Sequence, residues 1–190
     1  MSQPAAGGTP PPTTPHGIPW RWGVSEAEVA RHYGCDDLAR TGDLRLARGI
    51  DVAADPEVVF AWLGNLRVAP YSYDWLDNLG RRSPRRLRTD LPPLTSGQRV
   101  MTIFSALDVV PGQELTLGLR QGAGLRLFGQ VLVTYAVRPN GTGSRLLAVL
   151  RLQRDRGGRF ADLRRHALAW GDLLMMAKQL QTLRDLAEET

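Results

Sequence analysis

Two segments at opposite ends of the chain constrain its fold most. Near the front, Leu44-Arg45-Leu46-Ala47-Arg48-Gly49-Ile50-Asp51-Val52 has the make-up of a strand and runs straight into Asp55-Pro56-Glu57. There Asp55 is placed to be an N-cap and Pro56 the first helical residue, where a missing N–H costs nothing. At the back, Ala169, Leu173, Met176, Leu180, Leu183 and Ala187 recur at alternating steps of four and three. That is one apolar seam along a helix expected over 162–188, widened by Trp170, Leu174 and Ala177. Strand signals fill the space between. A strand and small helix, then a run of antiparallel strands, then one long helix predicts an α+β domain whose curved sheet wraps the last helix.

The intervening elements follow from local pattern. Val59, Trp62, Leu63 and Leu66 form one stripe of a short helix over 55–66, and a second short helix is expected over 71–79. Residues 81–94, rich in arginine and proline, read as a loop, or a loop around one edge strand. A strand over 97–110, or two with a kink at Ser105-Ala106, leads into Val110-Pro111-Gly112-Gln113, a type II turn with Pro and Gly at its central positions. Strands follow over 114–120, 125–138 and 144–154, turned by Gln121–Gly124 and Pro139–Gly143. In the long third strand Leu127, Gly129, Val131, Val133, Tyr135 and Val137 share a face. In the first strand Leu44, Leu46 and Arg48 face one way, and a phase change with a bulge near Arg48-Gly49 is expected before Ile50 and Val52.

Residues 1–19 are rich in Pro, Gly and Thr and are expected to be a disordered tail. Val24-Ser25-Glu26-Ala27-Glu28-Val29 is a capping box with staple residues around it, opening a short helix that runs to about Tyr33 and stops at Gly34 as a C′ glycine. Trp20 and Trp22 would pack this segment onto the rest. Residues 20–42 therefore read as an N-terminal extension of a domain spanning 43–190.

Composition narrows function. With 43% hydrophobic and 23% charged residues the chain is of ordinary globular make-up. No apolar run is long enough for a membrane span, and the first residues lack the basic and apolar regions of a signal peptide. The single cysteine, Cys35, excludes an internal disulfide and lies beside Asp36 and Asp37, which raise a thiol pKa and argue against a nucleophile. A cytoplasmic protein, monomer or homodimer, is expected. The net charge of +5 rests almost wholly on arginine, Lys178 being the sole lysine. It is too unpatterned to predict nucleic-acid binding. His16, His32 and His166 form no metal-ligand spacing, no phosphate or dinucleotide loop is present, and no metal or cofactor is expected.

The strand ending in Val52-Ala53-Ala54, the element Asp55-Pro56-Glu57-Val58-Val59-Phe60-Ala61-Trp62-Leu63 and the long C-terminal helix together resemble the START-like, or SRPBCC, superfamily over about residues 43–188. The superfamily includes polyketide cyclase/dehydrase and lipid-transport-like proteins and the birch pollen allergen, and the chain looks most like its uncharacterised actinobacterial members. The resemblance implies a helix-grip fold and a small apolar ligand, of lipid, polyketide or aromatic type, held between sheet and helix. It implies no catalytic residue.

On that basis Phe60, Tyr71, Tyr73, Trp75, Phe104, Tyr135, Trp170, Gly171 and Leu174 are the expected ligand-lining residues. Gly171 weakens a helix interior, so a close approach to the sheet or cavity is expected there. An alternative is a cyclase or dehydratase, with Tyr71, Tyr73, Asp74 and Asp77 as acid–base candidates and Thr102, Gln130 and Thr134 in reserve. The bland alternative is that these aromatics pack a short helix while the aspartates face water. A third possibility is an acidic partner or nucleic acid docked on the arginines of 81–88 together with Arg99, Arg120 or Arg126; a solvated loop is the default.

Overall fold

The computed structural model describes residues 14–73, 82–122, 125–126, 129–153 and 159–190, with the side chains of 159–162 left aside. Seven strands make one sheet: β1 (Arg21–Trp22), β2 (Leu44–Val52), β3 (Arg99–Val100), β4 (Phe104–Val110), β5 (Glu114–Leu119), β6 (Val131–Asn140) and β7 (Gly143–Leu152). Their order is β1-β2-β7-β6-β5-β4-β3, antiparallel throughout except for the parallel β1–β2 pair. Among the described residues the helices are α1 (Glu26–Ala30), α2 (Gly34–Leu38), α3 (Pro56–Gly64) and α4 (Arg159–Glu188), with a 3-10 turn, Asn65–Arg67, closing α3.

Alternation along the strands gives the sheet two apolar faces. On the inner face Leu46, Val133, Tyr135, Leu146, Ala148, Leu150, Leu115 and Leu117 meet Ala169, Met176, Leu180 and Leu183 of α4 and Val59, Trp62 and Leu63 of α3 in one core. Ala169, Met176, Leu180, Leu183 and Ala187 of the seam and Val59, Trp62, Leu63 and Leu66 of the stripe thus take the places expected of them, and Leu173 is buried. Asp55 is the N-cap of α3 and Pro56 its first residue, though the Asp55 side chain makes no capping bond.

The outer face is covered from the N-terminal side. Val29, Tyr33 and Cys35 form a second core with Ala47, Leu132, Ala136, Leu147 and Val149. The Ser25–Glu28 capping box forms as expected. Arg45 fastens the segment: its guanidinium donates to the carbonyls of Val29 and Arg31, to the Thr14 hydroxyl and to both oxygens of Asp36. Arg145 does the same from β7, gripping Glu28 and the carbonyl of Gly23.

Four local expectations are corrected. No bulge interrupts β2, which pairs with β7 in unbroken register from Leu44 to Val52. Leu44, Leu46, Arg48, Ile50 and Val52 keep one phase. Gly34 does not end the first helix, which stops at Ala30; it opens α2. A Cβ there would lie 2.5 Å from Thr116 Oγ1, so the glycine is set by close contact with the sheet. Of the strand expected from Leu125, the described residues Leu125, Arg126 and Gly129 do not extend β6: Arg126 and Gly129 donate to Gly122 and Leu125 in helical fashion, and β6 starts at Val131; Leu127 lies outside the described residues. The kink in 97–110 falls at Met101–Ile103, where Met101 and Thr102 have φ of 46° and 62°; the Ser105-Ala106 region carries only a register shift before Asp108. The Val110–Gln113 turn closes as expected, with Gly112 at φ 73° and a 2.9 Å bond from Gln113 N to Val110 O. Of the helix expected over 71–79, Tyr71–Tyr73 is not helical and 74–79 lies outside the described residues. The 3-10 turn Asn65–Arg67 is the second short helical element after β2.

A polar niche beneath the long helix

Register brings three residues of the inner face into one row. Arg48 of β2 pairs with Ala148 of β7, which pairs in turn with Tyr135 of β6. The small Ala148 is thus flanked by a guanidinium on one side and a phenol on the other. Two residues of α4 answer them. Asp172 Oδ2 accepts from Arg48 Nη2 at 3.0 Å. Gln179 Oε1 accepts from the Tyr135 hydroxyl at 2.5 Å, and the Met176 sulfur lies 3.8 Å from the same hydroxyl. Asp172, Met176, Gln179 and Leu183 are spaced by four, three and four residues, so they share one face of α4.

Arg48 joins three parts of the molecule. Its Nη1 donates to Trp20 O at 2.8 Å and to Ala47 O at 3.1 Å, while Nη2 holds α4. Its Nε has no hydrogen-bond partner among the described residues, and the side chain is wholly buried. Gln179 is a second junction: Nε2 donates to Pro70 O at 2.5 Å and approaches the Met101 sulfur at 3.2 Å.

The niche is electrostatically costly. Burial pushes the Asp172 carboxyl up to about 6, against the pull of Arg48. Burial lowers the Arg48 pKa, with Asp172 opposing. The Tyr135 phenol is pushed well above its usual range by burial, further by Asp172, with Gln179 opposing. Asp172 keeps 18% of its side-chain surface in water, so it is the member of the group in touch with solvent.

The architecture now bears comparison. No model of a known protein family matches the chain, and no curated protein matches its sequence. Solved structures do. The aromatase/cyclase ZhuI from Streptomyces sp. R1128 is 13% identical, with TM-score 0.50 over 77% of this chain and 94% of its own. The KanY protein is 15% identical, with TM-score 0.50 over 78% of this chain and 99% of its own. Ara h 8.0201 is 11% identical, with TM-score 0.46 over 75% of this chain and 99% of its own. The chain has the helix-grip fold. At these identities the likeness is one of fold alone.

Within this helix-grip domain the expected ligand-lining residues are dispersed. Tyr135 lies in the niche. Phe60 and Phe104 are half-buried at the margin of the inner core. Tyr71 is buried in that core, edge-on to Trp62 at 5.8 Å, its hydroxyl 3.4 Å from Asn65 Nδ2. Tyr73 is half-buried, and Trp75, Asp74 and Asp77 lie outside the described residues. Trp170 and Leu174 are 45% and 60% exposed on the outer side of α4. Gly171 is exposed there as well, with nothing within 4 Å of a Cβ built on it. The close approach expected at Gly171 is absent, because α4 turns its 172–176–179 face to the sheet. Thr134 points to the outer face, where its Oγ1 accepts from Cys35 N at 2.8 Å. Thr102 is exposed in the β3–β4 turn, and Gln130 is half-buried before β6.

Arg48, Asp172 and Gln179 were not among the sequence candidates. Their signal was present: Arg48 interrupts an apolar strand row, and Asp172 and Gln179 stand on the apolar seam of α4. In the arginine loop Arg88 pairs with Asp90 at 2.7 Å and Arg85 with Glu189 at 3.6 Å; Arg81 lies outside the described residues. Cys35 is buried, its thiol pushed up to about 12 by burial and then by Asp36, as its neighbours implied. Among the described residues no cluster suits a metal ion, and no helix is long and apolar enough to cross a membrane. A recess of about 380 Å³ lies at the far end of α4, between Val52–Ala53, the β6–β7 turn and Glu188, away from the niche.

Proposed function

We propose that the protein is a carrier or sensor for a small, mostly apolar molecule, of lipid, polyketide or aromatic type, taken up beneath α4. One observation carries this reading: a few convergent polar side chains sit on the inner face of an otherwise apolar sheet, under the helix that closes it. Apolar walls with a small number of placed polar groups are the general character of small-molecule sites. The interior is closed by Leu46, Leu150, Met176 and Leu180, all buried, so uptake requires these side chains to part. The folds of an aromatase/cyclase and of KanY are consistent with this reading at the level of architecture. A cytoplasmic setting fits the single unpaired cysteine.

The test is native mass spectrometry of the purified protein, followed by organic extraction. An apolar compound bound one per chain is the expected result; a protein that carries nothing and binds no apolar fluorophore refutes it. A second reading, acid–base chemistry of the cyclase or dehydratase kind, is favoured by Asp172, whose carboxyl changes protonation near pH 6 beside a buried phenol. Conversion of the extracted compound to a product of different mass, lost in Asp172→Asn, is the result it requires.

A further inference from the structure

Arg48 is out of place by the logic of a core. Its strand row is otherwise Leu44, Leu46, Ile50 and Val52. A guanidinium stays charged at any pH of interest and is expensive to bury without a negative partner. Two neutral carbonyls, of Trp20 and Ala47, and the Asp172 carboxylate occupy Nη1 and Nη2. Nε remains a buried donor without an acceptor among the described residues. Ala148, small and buried, stands between Arg48 and Tyr135 on the row. Asp172 lies above it on a helix whose first half has an exposed outer side at Leu163, Trp170 and Leu174.

We infer that the molecule held beneath α4 carries an anionic oxygen, a carboxylate or an enolate, and that Arg48 receives it, Asp172 filling that role when the site is empty. The inference rests on the proposed apolar-ligand reading and narrows it to amphipathic acids. The guanidinium offers what such a group needs: a positive charge, and with Nε and Nη2 on one edge a two-pronged donor once Asp172 yields. Asp172 can yield because it keeps contact with water and because burial already disfavours its charge. A neutral carbonyl would satisfy Nε but leave the buried charge uncompensated if Asp172 moved away.

Two fluorophores separate the two claims. Anilinonaphthalene sulfonate and N-phenyl-1-naphthylamine share an aryl-amine frame and differ in the sulfonate. Both are titrated against the full chain at physiological ionic strength, with circular dichroism to verify folding. The wild type should bind the sulfonate more tightly than the neutral probe by on the order of tenfold, the worth of a charge-assisted hydrogen bond. Arg48→Met should bring the ratio of the two dissociation constants close to one. Asp172→Asn should widen it, because the internal competitor is gone; this arm decides alone if Arg48→Met does not fold. A ratio that neither variant alters overturns the inference and leaves the apolar-ligand reading standing. Failure of the wild type to bind either probe overturns both.

Discussion

Replacing Arg48 and Asp172 together should cost the protein little, whereas replacing one should cost a great deal. Both groups are paid for in desolvation: burial lowers the Arg48 pKa and raises that of Asp172 even though they face each other at 3.0 Å. Asp172→Leu leaves a wholly buried guanidinium with only two carbonyl partners, for which about 3 kcal/mol of lost stability is expected. Arg48→Met leaves a carboxyl that keeps some contact with water and can take up a proton, so about 1–2 kcal/mol is expected. Arg48→Met with Asp172→Leu removes both charges in favour of apolar side chains of similar length and should fall within about 1 kcal/mol of the wild type, or above it. The coupling between the sites is then about 4–5 kcal/mol, read from urea unfolding at pH 7 followed by far-UV circular dichroism. The pH dependence has a definite sign. The folded-state pKa of Asp172, about 6, lies above the ordinary 3.8, so its contribution to stability is full below about pH 4 and is lost as pH rises through 6. With 18% of the side chain in water, that loss should be about 1–2 kcal/mol, seen as the difference between the wild-type and double-variant profiles. A double variant that loses the sum of the single losses refutes the account, because the pair would then be a net source of stability.

Two further outcomes follow from the glycines. Gly171→Ala should stabilise the protein by about 0.5–1 kcal/mol in the same assay, because the position is exposed, helical and open; a loss would mean that this face of α4 is covered in solution. Gly34→Val should destabilise by about 2 kcal/mol or more, since its Cβ would meet Thr116 Oγ1 at 2.5 Å in a packed second core; hydrogen exchange at Cys35 and Asp36 should rise, and unchanged protection would refute the close contact.

The sequence was most legible where the determinants are local. The Ser25–Glu28 box, the Asp55-Pro56 start and the Pro111-Gly112 turn each lie within a few residues, and each formed at its expected place. The seam of α4 was equally clear, because Ala169 to Ala187 repeat one period over many turns. What failed was decided by residues far away. Gly34 looks like a helix stop until Thr116, on a strand eighty positions on, is seen against it. Gly171 looks like a close contact until α4 is rotated by Asp172 and Gln179, whose partners Arg48 and Tyr135 belong to two different strands. The candidate site was therefore legible as a place, between sheet and long helix, but its polar members were not, because one-dimensional pattern cannot show which interruptions of two apolar faces will meet.

Those interruptions meet in pairs, and the two pairs differ in kind. Tyr135 and Gln179 are neutral, and Gln179 goes on to the Pro70 carbonyl, so this pair ties β6, α4 and the segment after α3 together at modest electrostatic cost. Arg48 and Asp172 bring two charges out of water, and the register places Arg48 one small residue away from Tyr135. An apolar pair at the same two positions would serve packing as well or better. Stability therefore gives no reason for the charges, and the orphaned Nε adds to their cost. A use that needs a cation in that place does give one. An acidic ligand would satisfy Nε, balance the guanidinium and free Asp172 to water in a single exchange, so the group that weakens the empty protein is the one that would hold the filled one together.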